Sequence, residues 1–150
     1  MRIRFVLPGI LLLVSLVLSG CLSVETPQGF AEISPFPAYR AISPEGVRYS
    51  IRTVQNYPPQ DLKFWGQALK NHLQAEGYLL IRPEERFEAA NREGLIFEWG
   101  LPYRNQSYIY LTAIMLWEKD IVIAEAAGEK ELYARYREAL IESLRSLNPQ

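Results

Sequence analysis

Three stretches in the second half of the chain decide its fold class. Leu95 to Leu101 sets Leu95, Phe97, Trp99 and Leu101 against Ile96, Glu98 and Gly100, a period of two that belongs to strands. Pro102 to Gln106 interrupts the pattern, Ser107 to Trp117 is long and rich in β-forming residues, and Lys119-Asp120 turns the chain into Ile121 to Ala126. Connections this short join antiparallel neighbours, because a parallel crossover needs a dozen residues or more. The spacing therefore predicts an antiparallel meander. After Gly128 the period changes, and Leu132, Tyr133, Tyr136, Leu140, Leu144 and Leu147 form one stripe of a helix from Glu129 to Leu147. Glu129 and Glu131 open that helix and Arg145 lies in its last turn, which suits the helix dipole at both ends.

The first half repeats the theme. Phe30 to Ile33 reads as an edge strand, and Tyr39 to Ser43 and Val47 to Val54 flank the turn Ser43-Pro44-Glu45-Gly46. In the second arm Val47, Tyr49, Ile51 and Thr53 alternate with Arg48, Ser50 and Arg52, as a half-buried strand does. Asn56-Tyr57-Pro58-Pro59 ends it, and a helix follows from Gln60 to Glu76 with Leu62, Trp65, Leu69, His72 and Leu73 at helical spacing. Gly77 closes the helix. Tyr78 to Arg82 is a short strand, and charged Glu84 to Arg92 reads as a surface helical turn or loop. The expected architecture is α+β, a two-layer sandwich: a mostly antiparallel sheet of about five to six strands with both amphipathic helices on one face.

The amino-terminal stretch is of another kind. Arg2 and Arg4 precede an apolar run from Phe5 to Leu18, followed by Leu18-Ser19-Gly20-Cys21. About 14 apolar residues fall short of the ~20 that a membrane-spanning helix needs, so the pattern is that of a secretory signal peptide. Leu18-Ser19-Gly20-Cys21 resembles the lipobox of bacterial lipoproteins. The resemblance implies cleavage after residue 20, diacylglycerol on the Cys21 thiol and attachment to the bilayer without spanning it. Leu22 to Gly29 then reads as a tether of at most about 26 Å, with a single domain over residues 30–150. In the sorting rule of that family an aspartate after the cysteine retains the protein in the inner membrane. Leu22 stands there instead, so the outer membrane of the cell envelope is expected. Anchor and architecture together resemble small accessory lipoproteins of the LptE-like and PqiC-like sort.

Without the signal the chain carries 14 basic against 17 acidic residues, a net charge of −3. An acidic surface argues against nucleic acid as a partner. Cys21 is the only cysteine, so the domain has no disulfide framework and no thiolate nucleophile. His72 is the only histidine, expected at the margin of a buried helix stripe; no metal site or cofactor is expected, and none of the common nucleophile or phosphate motifs occurs. Glu98 and Glu125, both on strands, are candidates for a carboxylate pair.

One face of the sheet invites a functional reading. Ile109, Leu111, Ala113, Met115 and Trp117 are expected to meet the helices, leaving Tyr108, Tyr110, Thr112 and Ile114 outward beside Arg48, Arg52 and Glu98. Tyrosine and arginine are enriched where proteins bind one another. Arg48, Arg52, Tyr108 and Tyr110 are the candidate partner-binding residues, with an envelope protein as the partner and no catalysis. An ordinary solvated sheet face is the other account of these residues. A small-molecule or lipid site in a cleft between sheet and helices is the alternative function, and a hydrolase a more distant one.

Overall fold

The computed structural model describes residues 22–34, 38–103 and 105–149, so Cys21 and the hydrophobic stretch before it lie outside the described residues. The meander occupies the middle of the sheet, as β7 (Arg92–Tyr103), β8 (Gln106–Trp117) and β9 (Asp120–Glu129). Before it come β1 (Leu22–Ser23), β2 (Ala31–Ser34), β3 (Tyr39–Ile42), β4 (Arg48–Gln55), α1 (Leu62–Ala75), β5 (Leu79–Leu80) and β6 (Glu85–Ala89); after it come α2 (Lys130–Arg145) and β10 (Asn148–Pro149). Eight strands form the main sheet in the order β2-β3-β4-β9-β8-β7-β5, with β6 also on β7, and β1 pairs separately with β10. Every pairing is antiparallel. The α+β class and the antiparallel sheet stand as read from the sequence, with more strands than expected.

One added strand is β6, which lies in the segment expected as a helical turn or loop. Its residues alternate: Phe87 and Ala89 are buried while Arg86 and Glu88 are exposed. Ala90 and Asn91 close the hairpin at φ 49° and 58°, left-handed at both central positions as tight hairpins require. Gly94 is needed opposite, because a Cβ there would enter the Phe87 ring.

The helices do not share a face. In β7, Leu95, Phe97 and Trp99 pack with Leu73 of α1, whereas Ile96 packs with Leu140, Ile141 and Leu144 of α2. Neighbouring residues of a strand point to opposite faces, so α1 and α2 cover opposite sides of the sheet. The physical reason is in the strands themselves: every residue from Gly94 to Trp99 is buried, as is every residue from Leu111 to Met115. Apolar strands of this kind need cover on both faces. Asp61 caps α1 by accepting the Phe64 N–H at 2.7 Å, and Gly66 lets the helix rest on Leu95 and Phe97. His72 is exposed rather than at a buried margin.

Residues 22–29, expected as a tether, are bound along α2. Leu22 pairs with Pro149 and Ser23 with Asn148. The Glu25 N–H donates to Ser146 Oγ at 2.8 Å, and Ser143 Oγ donates to the Glu25 carbonyl at 2.6 Å. Pro27 is buried, and Leu22, Val24 and Phe30 pack on the core beneath α2. Phe30 meets Tyr136 edge to face at 5.1 Å, and Gly29, at φ 86°, passes so close to that tyrosine that a Cβ would lie 2.9 Å from Cε1. Tyr136 thus holds this segment while packing on the same core.

Candidate functional site: an uncovered aromatic shelf

Helix α1 covers only part of its face of the sheet. Cross-strand register places the rest: Tyr108 opposite Leu101 and Glu129, Tyr110 opposite Trp99 and Ala127, Arg48 opposite Ala127, and Arg52 opposite Ile123. Partners in register share a face, so Arg48, Arg52, Tyr108 and Tyr110 all project from the α1 side, beyond its reach. Tyr78, Leu101, Tyr103, Tyr108 and Tyr110 line an open concavity of about 490 Å³ there. Two ring contacts stiffen it, Tyr78 on Tyr110 at 5.6 Å and Tyr103 on Tyr108 at 6.3 Å.

The polar border of the shelf is Glu125. Tyr110 donates its hydroxyl to Glu125 Oε1 at 2.5 Å, and Arg52 Nε stands 3.7 Å from Oε2. Burial, and next the hydrogen bond to Glu125 and its charge, hold the Tyr110 phenol well above the usual tyrosine range, so it is a donor at any physiological pH. Arg52 and Glu125 are both partly exposed, and such a pair is worth at most about 1 kcal/mol. The shelf is therefore fixed chiefly by ring packing, with Arg48 exposed at its border.

The other residues grouped with this face separate. Thr112 and Ile114 have the right parity but are buried beneath α1, where Thr112 Oγ1 accepts the Trp99 indole N–H at 3.0 Å. Glu98 points to the opposite face, so Glu98 and Glu125 form no carboxylate pair. Instead Glu98, 2 % exposed, accepts from Arg137 Nε at 2.6 Å and faces Arg82 Nε at 3.1 Å, while Arg137 also reaches Glu85 at 2.5 Å. Burial opposes the charge on Arg137, but the two carboxylates outweigh it and raise its pKa. This cluster ties α2 to β7 and β6. Beside it the Tyr133 hydroxyl is buried with no hydrogen-bond partner among the described residues. Tyr78, Leu101 and Tyr103 escaped sequence reading, because only register across β5, β7 and β8 brings them to Tyr108. Among the described residues no helix is long and apolar enough to cross a membrane.

The molecule defined by this fold is an antiparallel sheet with a helix on either face, and proteins of known structure share it. LpqN of Mycobacterium tuberculosis, a protein involved in cell envelope biogenesis, superposes with a TM-score of 0.67 at 7% identity over 87% of this chain and 85% of its own. The cyanobacterial PsbP protein (CyanoP) of Synechocystis sp. PCC 6803 gives 0.63 at 7% identity, over 87% of each chain. A protein of Bacteroides thetaiotaomicron gives 0.54 at 10% identity over 87% of this chain, which spans 45% of that one. No family model and no curated protein matches the sequence. At these identities the likeness is one of fold.

Proposed function

We propose that this chain is a lipid-anchored protein of the bacterial envelope, cut before and acylated on Cys21, whose domain binds an envelope protein through the aromatic shelf. The observation that carries the proposal is the shelf itself. Ring-lined, open and stiffened by packing, it offers a partner apolar area with little ordering cost on this side of the interface. Its shallow form suits a protein surface better than an enclosed small molecule. The seam between α1 and the sheet, where a ligand cleft was the alternative, is filled at Gly66 and opens at its edge as a smaller pocket of about 240 Å³ among Lys63, Lys70, Glu84 and Glu93. The likeness of fold to LpqN, a protein of envelope biogenesis, agrees with this reading. The position of Leu22 after the cysteine favours the outer membrane. The role is that of an accessory subunit, not a catalyst.

A photo-crosslinking residue at position 108, in the native lipoprotein in its membrane, tests the proposal. A discrete adduct is expected at 108 and not at the exposed position 138 on the outside of α2. Tyr108→Ala with Arg52→Ala should remove the co-purified partner while leaving the fold intact, since interface tyrosines and arginines often carry ~2 kcal/mol or more. Identical adducts at 108 and 138, or full retention of the partner by the double variant, would overturn the assignment.

A further inference from the structure

We infer that the anchored domain sits directly on the bilayer in one orientation, with the β6–β7 and β8–β9 turns against phosphate-bearing headgroups and the shelf at the far end. The inference rests on the proposed acylation of Cys21, and adds to it a direction. Leu22, the next residue, is already strand-paired with Pro149, and Ser23 Oγ donates to the Asn148 carbonyl at 3.1 Å. The residues that follow are fastened by Ser143 and Ser146. One peptide unit of about 3.8 Å, not a leash of many residues, therefore separates the acylated residue from the folded surface.

The position of that attachment follows from α2. The helix starts directly after Glu129, which pairs with Tyr108 at the shelf end of the sheet. Its 16 residues rise about 24 Å at 1.5 Å each. They end at Arg145, which lines one surface pocket with Phe87, Asn91 and Arg92 of the β6–β7 hairpin. Asn148, three residues further on, pairs with Ser23. The anchor thus emerges at the end of the sheet opposite the shelf. Along β8, from Tyr108 to Trp117, the two ends stand about 30 Å apart at ~3.4 Å per residue.

The chemistry of that end fits a lipid surface. Arg92 and Arg145 make no ion pair among the described residues, and Lys119 is exposed in the β8–β9 turn. Arg92 lies over the Trp117 ring at 4.8 Å, a cation and an indole together, as at many membrane interfaces. The neighbouring acids are Glu25, Glu88, Glu93, Glu118 and Asp120, of which Glu93 is neutralised by Arg86 at 2.9 Å, so the contact is made by individual arginines and not by a net positive surface. Guanidinium groups bind phosphate oxygens in two-pronged fashion, which gives Arg92 and Arg145 their partners.

Paramagnetic broadening of amide signals tests the orientation, using the native lipoprotein in nanodiscs of phosphatidylglycerol and phosphatidylcholine with spin-labelled headgroups. Amides of Asn91, Arg92 and Lys119 are expected to broaden several-fold more than those of Asn105 and Gln106. An eight-residue glycine-serine insertion between Cys21 and Leu22, or Arg92→Glu with Arg145→Glu, should bring that ratio towards one. Equal broadening at both ends of the unaltered protein, or a ratio unmoved by either change, would overturn the inference. Intact mass of the native protein tests acylation separately. If it shows a free thiol, a thiol-reactive phospholipid coupled at Cys21 still reads the orientation, so the two failures are told apart.

Discussion

Arg137→Ala removes the residue that ties α2 to the sheet through a buried charge. Glu98 is almost wholly enclosed, with Arg137 Nε at 2.6 Å and the Arg137 side chain only 16% exposed. Opposite charges about 4 Å apart attract by about 4 kcal/mol at an effective dielectric constant of 20. Breaking such a pair from one side costs about 3–5 kcal/mol, because the remaining charge stays buried. Arg82 stands 3.1 Å from the same carboxylate and is 54% exposed, so it can shift to take up part of the loss. Arg137→Ala should therefore cost about 2–3 kcal/mol, a large part of the ~5–15 kcal/mol that holds a domain together. Arg82→Ala, at the solvent side, should cost under about 1 kcal/mol. Urea unfolding followed by tryptophan fluorescence gives both values, with the slope as a check that unfolding stays two-state. Equal costs for the two arginines would refute the reasoning, for they would show that burial does not decide between them.

Tyr133→Phe should stabilise the domain by about 1 kcal/mol or more at neutral pH, since it deletes a buried hydroxyl that has no partner among the described residues. Burial, then the charge of Glu98, holds that phenol above the usual range in the folded state. Above about pH 10 the unfolded chain gives up the proton while the folded chain keeps it, so the native protein loses stability as pH rises and the advantage of the variant widens. A loss of stability in chemical denaturation of the variant would show that the hydroxyl is bonded. Deleting residues 22–29 should lower the thermal midpoint clearly, because it strips away Leu22, Val24 and buried Pro27 and removes the Glu25 bonds to Ser143 and Ser146; an unchanged midpoint would restore the tether.

The meander, both helices and the class of the fold were legible because their signals are local. Period two in β7 and a stripe from Leu132 to Leu147 can each be read within a dozen or so residues. The placing of the helices was not local. In β8 the residues Ile109 to Met115 are apolar or aromatic on both sides, Thr112 excepted, so alternation separates two faces without telling which helix covers which. β6 was hidden by its charges: Glu85, Arg86 and Glu88 mask an alternation carried by Phe87 and Ala89 alone. The docked segment was hidden by distance, for the groups that hold Glu25 are 118 and 121 positions away. At the shelf, parity gave Arg48, Arg52, Tyr108 and Tyr110 a common face. Register was needed to add Tyr78 and Leu101 and to bury Thr112 and Ile114.

The pairing of β1 with β10 also sets an order of events during biogenesis. Ser23 and Asn148 are 125 positions apart, so this clasp closes a very long loop. It cannot form until Asn148 and Pro149 have been synthesised. Contacts of such separation also carry the largest loop-closure entropy, and they form late. Until that moment Leu22 and Ser23 lack the strand partners that cover them in the folded domain. If Cys21 is acylated as proposed, a modifying enzyme that works on the growing chain meets an open substrate, whereas one that arrives after folding meets a site drawn against the domain.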